Sequence, residues 1–197
     1  MHQKKKNALF GNLYGLVLSA NFVALSIVLG KYLAINVDQF IRISFENLPI
    51  LAGGFFFGPI VGAIIGVSAD LIGCVMVGYT INPIIACGAG SVGAIAGIVG
   101  WISFKNKANS SKAKRTLAAL TATVGAHVVG SMIIKSIGMA VYYGHGIEVL
   151  WVRIPLYICI SAAEGCILAI LANSRVFIRE QEKIINSRKR GSDNDVR

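Results

Sequence analysis

The stretch GGFFFGPIVGAIIGVSAD runs from Gly53 to Asp70. Gly54, Gly58, Gly62 and Gly66 recur every four residues, and Asp70 is the next step of the same ladder. Residues four apart on a helix lie nearly one above another, so the ladder marks a single face. Gly58-Pro59 interrupts it, because proline cannot continue a helix and restricts the residue before it; the spacing predicts a tight helical hairpin, not one rod. Beyond the turn, Gly62 and Gly66 let a neighbouring helix come close, as small-xxx-small patterns do in lipid. That second helix then carries a carboxylate into a run otherwise free of charge. An ionisable group inside a membrane span marks a functional site by default, and the rest of the chain reads as apparatus around Asp70.

The runs 8–30, 47–69 and 71–104 contain no Asp, Glu, Lys or Arg, and a membrane span needs about 20 apolar residues. Only 14% of the 197 residues are charged and mean hydropathy is +0.67, whereas a soluble domain carries roughly a quarter charged residues. The expected class is an all-α, polytopic membrane protein made of one integral domain over residues 1–197. A net charge of +10 does not point to nucleic acid, because the cations are segregated. Three lie at Lys4, Lys5 and Lys6; five at Lys105, Lys107, Lys112, Lys114 and Arg115; seven between Arg175 and Arg197. That distribution follows the positive-inside rule and places all three segments in the cytoplasm, where they touch lipid headgroups. Cys74, Cys87, Cys159 and Cys166 sit in apolar runs with no CxxC spacing and are expected as small buried residues, not ligands or a disulfide frame. The amino-terminal apolar run is too long for a signal peptide and lacks an A-x-A cleavage pattern, so it reads as a retained helix.

With both ends and the loop around Lys112 inside, each interval holds an even number of crossings, giving six spans. They are expected near residues 8–33, 45–57, 60–77, 83–104, 116–141 and 149–173. The second is short, about 20 Å, and Asn47 is expected to cap it ahead of Pro49. The polar, alternating segment 36–44 (NVDQFIRIS) reads as an external, partly extended loop. Segment 78–83 (GYTINP) is a second external loop, in which Asn82-Pro83 supplies a cap and a first-turn proline. Tyr142–Gly146 forms a third, and the tail is expected to fray after Ser187. Ala20 and Ala24 are spaced either for packing inside the bundle or for meeting a partner helix.

Counting inward from the cytoplasmic ends puts Asp70, His127 and Glu164 at similar depth. Outward of them lie Lys31, Arg42, Glu46, Lys135 and Arg153, with Phe45, Tyr79, Tyr142, Tyr143 and Trp151. Cations, acids and aromatics gathered at one end suit an aromatic ligand bearing negative charge: a carboxylate accepts from ring N–H and amino groups, lysine or arginine holds anionic ends, and aromatics stack. Each residue also has a plainer role. Trp151 and the tyrosines read equally as interface anchors, Lys31 as a side chain reaching up to the headgroups, Arg42 as a solvated loop charge, and His127 with Glu164 as a buried structural pair. Asp70 is the hardest to explain plainly, because no other charge in its own span offsets its cost. Enzyme chemistry is poorly supported: there is no GxxxxGK[ST] and no HExxH, the histidines lack metal spacing, and Ser91 in AGSVG misses the GxSxG elbow.

The segments RISFENLP (Arg42 to Pro49), FGPIVG (Phe57 to Gly62) and GVSADLIG (Gly66 to Gly73) resemble the substrate-binding S components of energy-coupling-factor (ECF) vitamin transporters, and among them the folate-specific branch. The likeness extends over the whole chain in length, span number, short second span and basic ends. It implies a non-enzymatic protein of the bacterial cell membrane that captures folate from outside. It further implies docking on a transmembrane coupling subunit (EcfT) driven by two ATPase subunits, with reorientation in the bilayer to release the vitamin inward. ATP would be used by the partners alone, with no cofactor or metal in this chain. In the family the small residues of the first span face the coupling subunit, here Ala20 and Ala24, and external loops 36–44, 78–82 and 142–147 form the gate. The substrate-binding residues expected on this basis are Arg42, Phe45, Glu46, Asp70, Tyr79, Asn82, Lys135, Tyr143, Trp151 and Arg153. Asp70 or Glu46 would read the pterin edge, and Arg42, Lys135 or Arg153 would meet the tail carboxylates. Riboflavin, thiamine or a pantothenate-like vitamin is the alternative ligand, and a membrane enzyme or self-contained carrier the alternative class.

Overall fold

The computed structural model describes residues 13–36, 42–104, 111–144 and 148–179. Seven α-helices account for most of it: α1 Leu13–Ile27, α2 Asn47–Phe57, α3 Pro59–Val77, α4 Pro83–Phe104, α5 Lys112–Ala126, α6 Lys135–Tyr143 and α7 Glu148–Ala172. α1 runs on into a wider π-helical turn, Val28–Tyr32, and a longer π-helical stretch, His127–Ile134, joins α5 to α6 as one rod. Five of these rods are long and apolar enough to cross a membrane; α2, with 11 residues, is apolar but shorter. The elements fall close to the expected spans, and the expected extended loop is a two-stranded antiparallel pair, β1 Ile35–Asn36 with β2 Arg42–Ile43, in register Ile35 to Ile43.

The glycine ladder does what its spacing predicts. Gly58 sits at φ 104°, a conformation open to glycine, and Pro59 begins α3, so α2 and α3 fold back as a hairpin. The ladder then seats against α4 almost backbone to backbone. A Cβ at Gly54 or Gly62 would run into the Gly93 carbonyl, and one at Gly66 into the Ala89 carbonyl. α4 answers with its own small residues: a Cβ at Gly97 would meet Pro59, and one at Gly100 would meet the Phe55 carbonyl. Without a hydrophobic drive between helices in lipid, such close packing is what holds them together.

α2 lies in the middle of this arrangement, with every residue but Leu48 buried. Phe55 makes edge contacts with Phe56 and Phe104, with centroids 5.3 and 5.5 Å apart, and Phe56 stacks on Phe177 at 4.1 Å. This aromatic block closes one end of the bundle and leaves the other end, where α2 begins, to polar residues. Cys74 is buried as expected, but Cys87, Cys159 and Cys166 lie exposed on helix flanks. In an apolar solvent a thiol loses nothing by facing outward, so burial was not required of them. The expected frayed tail after Ser187 and the amino-terminal residues 8–12 lie outside the described residues.

Candidate functional site

Where α2 begins, Glu46 meets two lysines from different helices. Its Oε1 accepts from Lys135 Nζ at 3.2 Å, and its Oε2 lies 3.9 Å from Lys31 Nζ. Lys31 comes from the π-helical turn after α1, and Lys135 is the first residue past the π-helical stretch between α5 and α6. Lys135 Nζ also donates to Asn47 Oδ1 at 3.2 Å, and Asn47 Nδ2 reaches Ser131 Oγ at 3.5 Å. Ser26 Oγ donates to the Glu46 carbonyl at 2.8 Å, tying α1 to the head of α2. The side chains of both lysines are less than a tenth exposed, against 17% for Glu46.

Three glycines make room for this group. A Cβ at Gly30 would stand 2.6 Å from Glu46 Oε2, one at Gly73 2.7 Å from Lys31 Cε, and one at Gly88 2.7 Å from Lys135 Cγ. Each ionic side chain thus crosses a neighbouring helix at a position with no side chain of its own. Asp70, one turn before Gly73 on α3, is buried. Lys31 Nζ stands 6.0 Å from the centre of the Tyr79 ring, within the range of a cation–π contact.

A second buried pair lies between α7 and the start of the π-helical stretch. His127 Nε2 and Glu164 Oε2 are 2.6 Å apart, both residues fully buried, with the Tyr157 ring 5.9 Å from the imidazole. Among the described residues, Glu164 Oε1 and His127 Nδ1 have no hydrogen-bond partner. The pair thus satisfies one polar atom of each side chain across the interface and leaves the other buried.

The expected site residues divide accordingly. Glu46 and Lys135 meet in one cluster, and Asp70 is buried on α3 one turn from Gly73, beside which Lys31 passes. Asn82 is buried and does cap α4, its Oδ1 accepting from the amides of Ile84 and Ile85, while its Nδ2 donates to the Gly138 carbonyl at 2.9 Å. Phe45, Tyr79 and Trp151 are exposed, Trp151 to 76%. The side chains of Arg42, Tyr143 and Arg153 lie outside the described residues. Ala20 and Ala24 face outward from α1.

Two expectations are corrected. Lys31 does not reach up to the headgroups: it is held inward, because Gly73 opens a path to a carboxylate. Asn47 does not cap α2. Glu46 stands at the N-cap with no side-chain cap bond, and the Asn47 carboxamide goes instead to Lys135 and Ser131. Ser26, Asn47 and Ser131 join the cluster unannounced; the available signal was that each is a polar residue in an apolar span.

A bundle of apolar helical rods around a short buried helix, with a polar cluster at one end, is the architecture of a polytopic helical membrane protein. The family described as ECF transporter, substrate-specific component, matches residues 15–176, and the chain belongs to that family. It is thereby a transporter component that binds substrate, not an enzyme. Among solved structures it is similar to "Crystal structure of FolT bound with folic acid", with a TM-score of 0.61 and 22% identity over 82% of this chain and 94% of that one. No curated protein sequence matches it.

Proposed function

We propose that this chain is the folate-binding S component of an ECF-type transporter. The observation that carries the reading is the cluster of one carboxylate, two buried lysines and a carboxamide at the head of α2, with a second carboxylate, Asp70, buried on α3, in a fold shared with a folic acid-bound FolT. Folate is a flat, uncharged pterin joined to a glutamate tail. The pterin edge presents adjacent N–H donors that a carboxylate accepts in a pair, and charge-assisted bonds of this kind are about twice as strong as neutral ones. Glu46, being the more open of the two acids, is the first to reach that edge, with Asp70 behind it. Phe45, Tyr79, Tyr143 and Trp151 offer stacking faces, and Arg42 or Arg153 meets the tail carboxylates from the loops.

The chain functions as one integral domain over 1–197, with six spans and both termini in the cytoplasm of a bacterial cell. It docks through the outward-facing Ala20 and Ala24 on the coupling subunit, and the two ATPase subunits supply the energy. Folate enters through loops 36–44, 78–82 and 142–147, and the protein reorients while docked to release it inward.

Titrating the purified protein with folate, riboflavin, thiamine and pantothenate, following the fluorescence of Trp101 and Trp151, tests this directly. Saturable binding of folate, undisturbed by the other three, is expected. A flavin carried through purification and displaced only by riboflavin ends the folate assignment. Turnover of a ligand by the isolated chain, or flux without any ATPase, ends the S-component mechanism.

A further inference from the structure

Both lysines already face a carboxylate before any ligand arrives. Lys135 is held by Glu46 and Asn47, and Lys31 approaches the other oxygen of Glu46. A glutamate tail lodged here would bring two more carboxylates beside Glu46, against cations that are already engaged, and uncompensated buried charge is expensive. An uncharged ring adds no such charge and offers donors that the acids accept.

We propose, building on the folate reading above, that Lys135 and Lys31 are positioning residues that aim the Glu46 carboxylate at the uncharged ring, and that neither holds the tail. Lys135 is the stronger of the two. It bonds Glu46 and Asn47 at once, so the first two residues of the α2 turn share one anchor on the opposite rod. Lys31 steadies the second carboxylate oxygen from the other side. The glycines at 30, 73 and 88 leave the room in which Glu46, Lys31 and Lys135 reach one another.

The experiment pairs a double-mutant cycle with two probes. Lys135→Met, Glu46→Gln and the double variant are purified, and affinity for folate and for 6-hydroxymethylpterin, the ring without its tail, is measured on folded protein. A lost charge-assisted contact costs about ten- to a hundredfold in affinity. Lys135→Met is expected to weaken both probes by the same factor, with the double variant no worse than the more damaging single one. Weakened folate with unchanged 6-hydroxymethylpterin assigns Lys135 to the tail and overturns the proposal. Unchanged affinity with a lowered melting temperature makes the lysine purely structural, and also overturns it.

The pairing itself is read without ligand. The two single substitutions each lower the melting temperature, and the double variant is expected to recover part of the loss, since removing both charges leaves neither stranded. Strictly additive losses sink the pairing. Wild-type protein that binds neither probe overturns the folate reading and the ligand-aiming role with it, whatever the melting cycle shows.

Discussion

A carboxylate among apolar helices is tolerated only with compensation, and Glu46 has it from two sides, while Asp70 is buried on α3. Asp70→Asn and Glu46→Gln each keep the shape and remove the charge. Each is expected to weaken folate by about tenfold or more in a calorimetric titration; if both leave affinity untouched, the acids do not read the pterin. Glu164 is the control at the same scale. Its partner is His127 at 2.6 Å inside the bundle, so Glu164→Ala is expected to lower stability by about 3 kcal/mol. Folate affinity of the folded fraction should stay unchanged, checked by thermal melting beside the titration. Asp70, Glu46 and Lys135 were visible in the sequence because a charge in an apolar run is conspicuous. Which charge meets which was not, because Lys135 and Glu46 are 89 residues apart and their meeting depends on how three rods pack.

Among the elements, α3 and α4 touch through backbone, and no side chain is available to yield. Gly62→Val pushes two methyl groups into the Gly93 carbonyl and the α2 backbone and is expected to cost about 3 kcal/mol. Gly78, which has open space around it but sits at φ 72°, is expected to cost only about 1 kcal/mol as Ala, the backbone strain alone. Melting curves in detergent should rank the two in that order; equal losses would mean that α3 and α4 do not pack as closely as described. The hairpin at Gly58-Pro59 and the cap at Asn82 were readable because local chemistry alone dictates them. The π-helical segments were not. Hydropathy periodicity does not distinguish 3.6 residues per turn from a locally wider turn, and such turns gather where function needs a side chain re-aimed.

For the whole molecule, binding and coupling are separable. Ala20 and Ala24 lie on the outward side of α1, whereas Ser26 and Lys31 of the same rod turn inward to Glu46, and small residues on an outward side let a partner helix come close. Ala20→Trp with Ala24→Trp is expected to leave folate affinity of the purified chain unchanged and to abolish folate uptake by cells carrying the full transporter. Uptake at the wild-type level would move the coupling surface elsewhere. The cations of the expected cytoplasmic segments remain the basis for orientation.

From the sequence alone came the membrane class, the helical hairpin, the helix boundaries to within a few residues among the described residues and the family, because each rests on local composition or contiguous motif. The tertiary structure decided that Lys31 points inward, that Asn47 binds a lysine in place of capping its helix, and that Gly30, Gly73 and Gly88 exist to clear a path for ions. Those outcomes depend on which helix faces lie opposite one another, and contacts between residues far apart in the chain leave no mark on the local pattern of either.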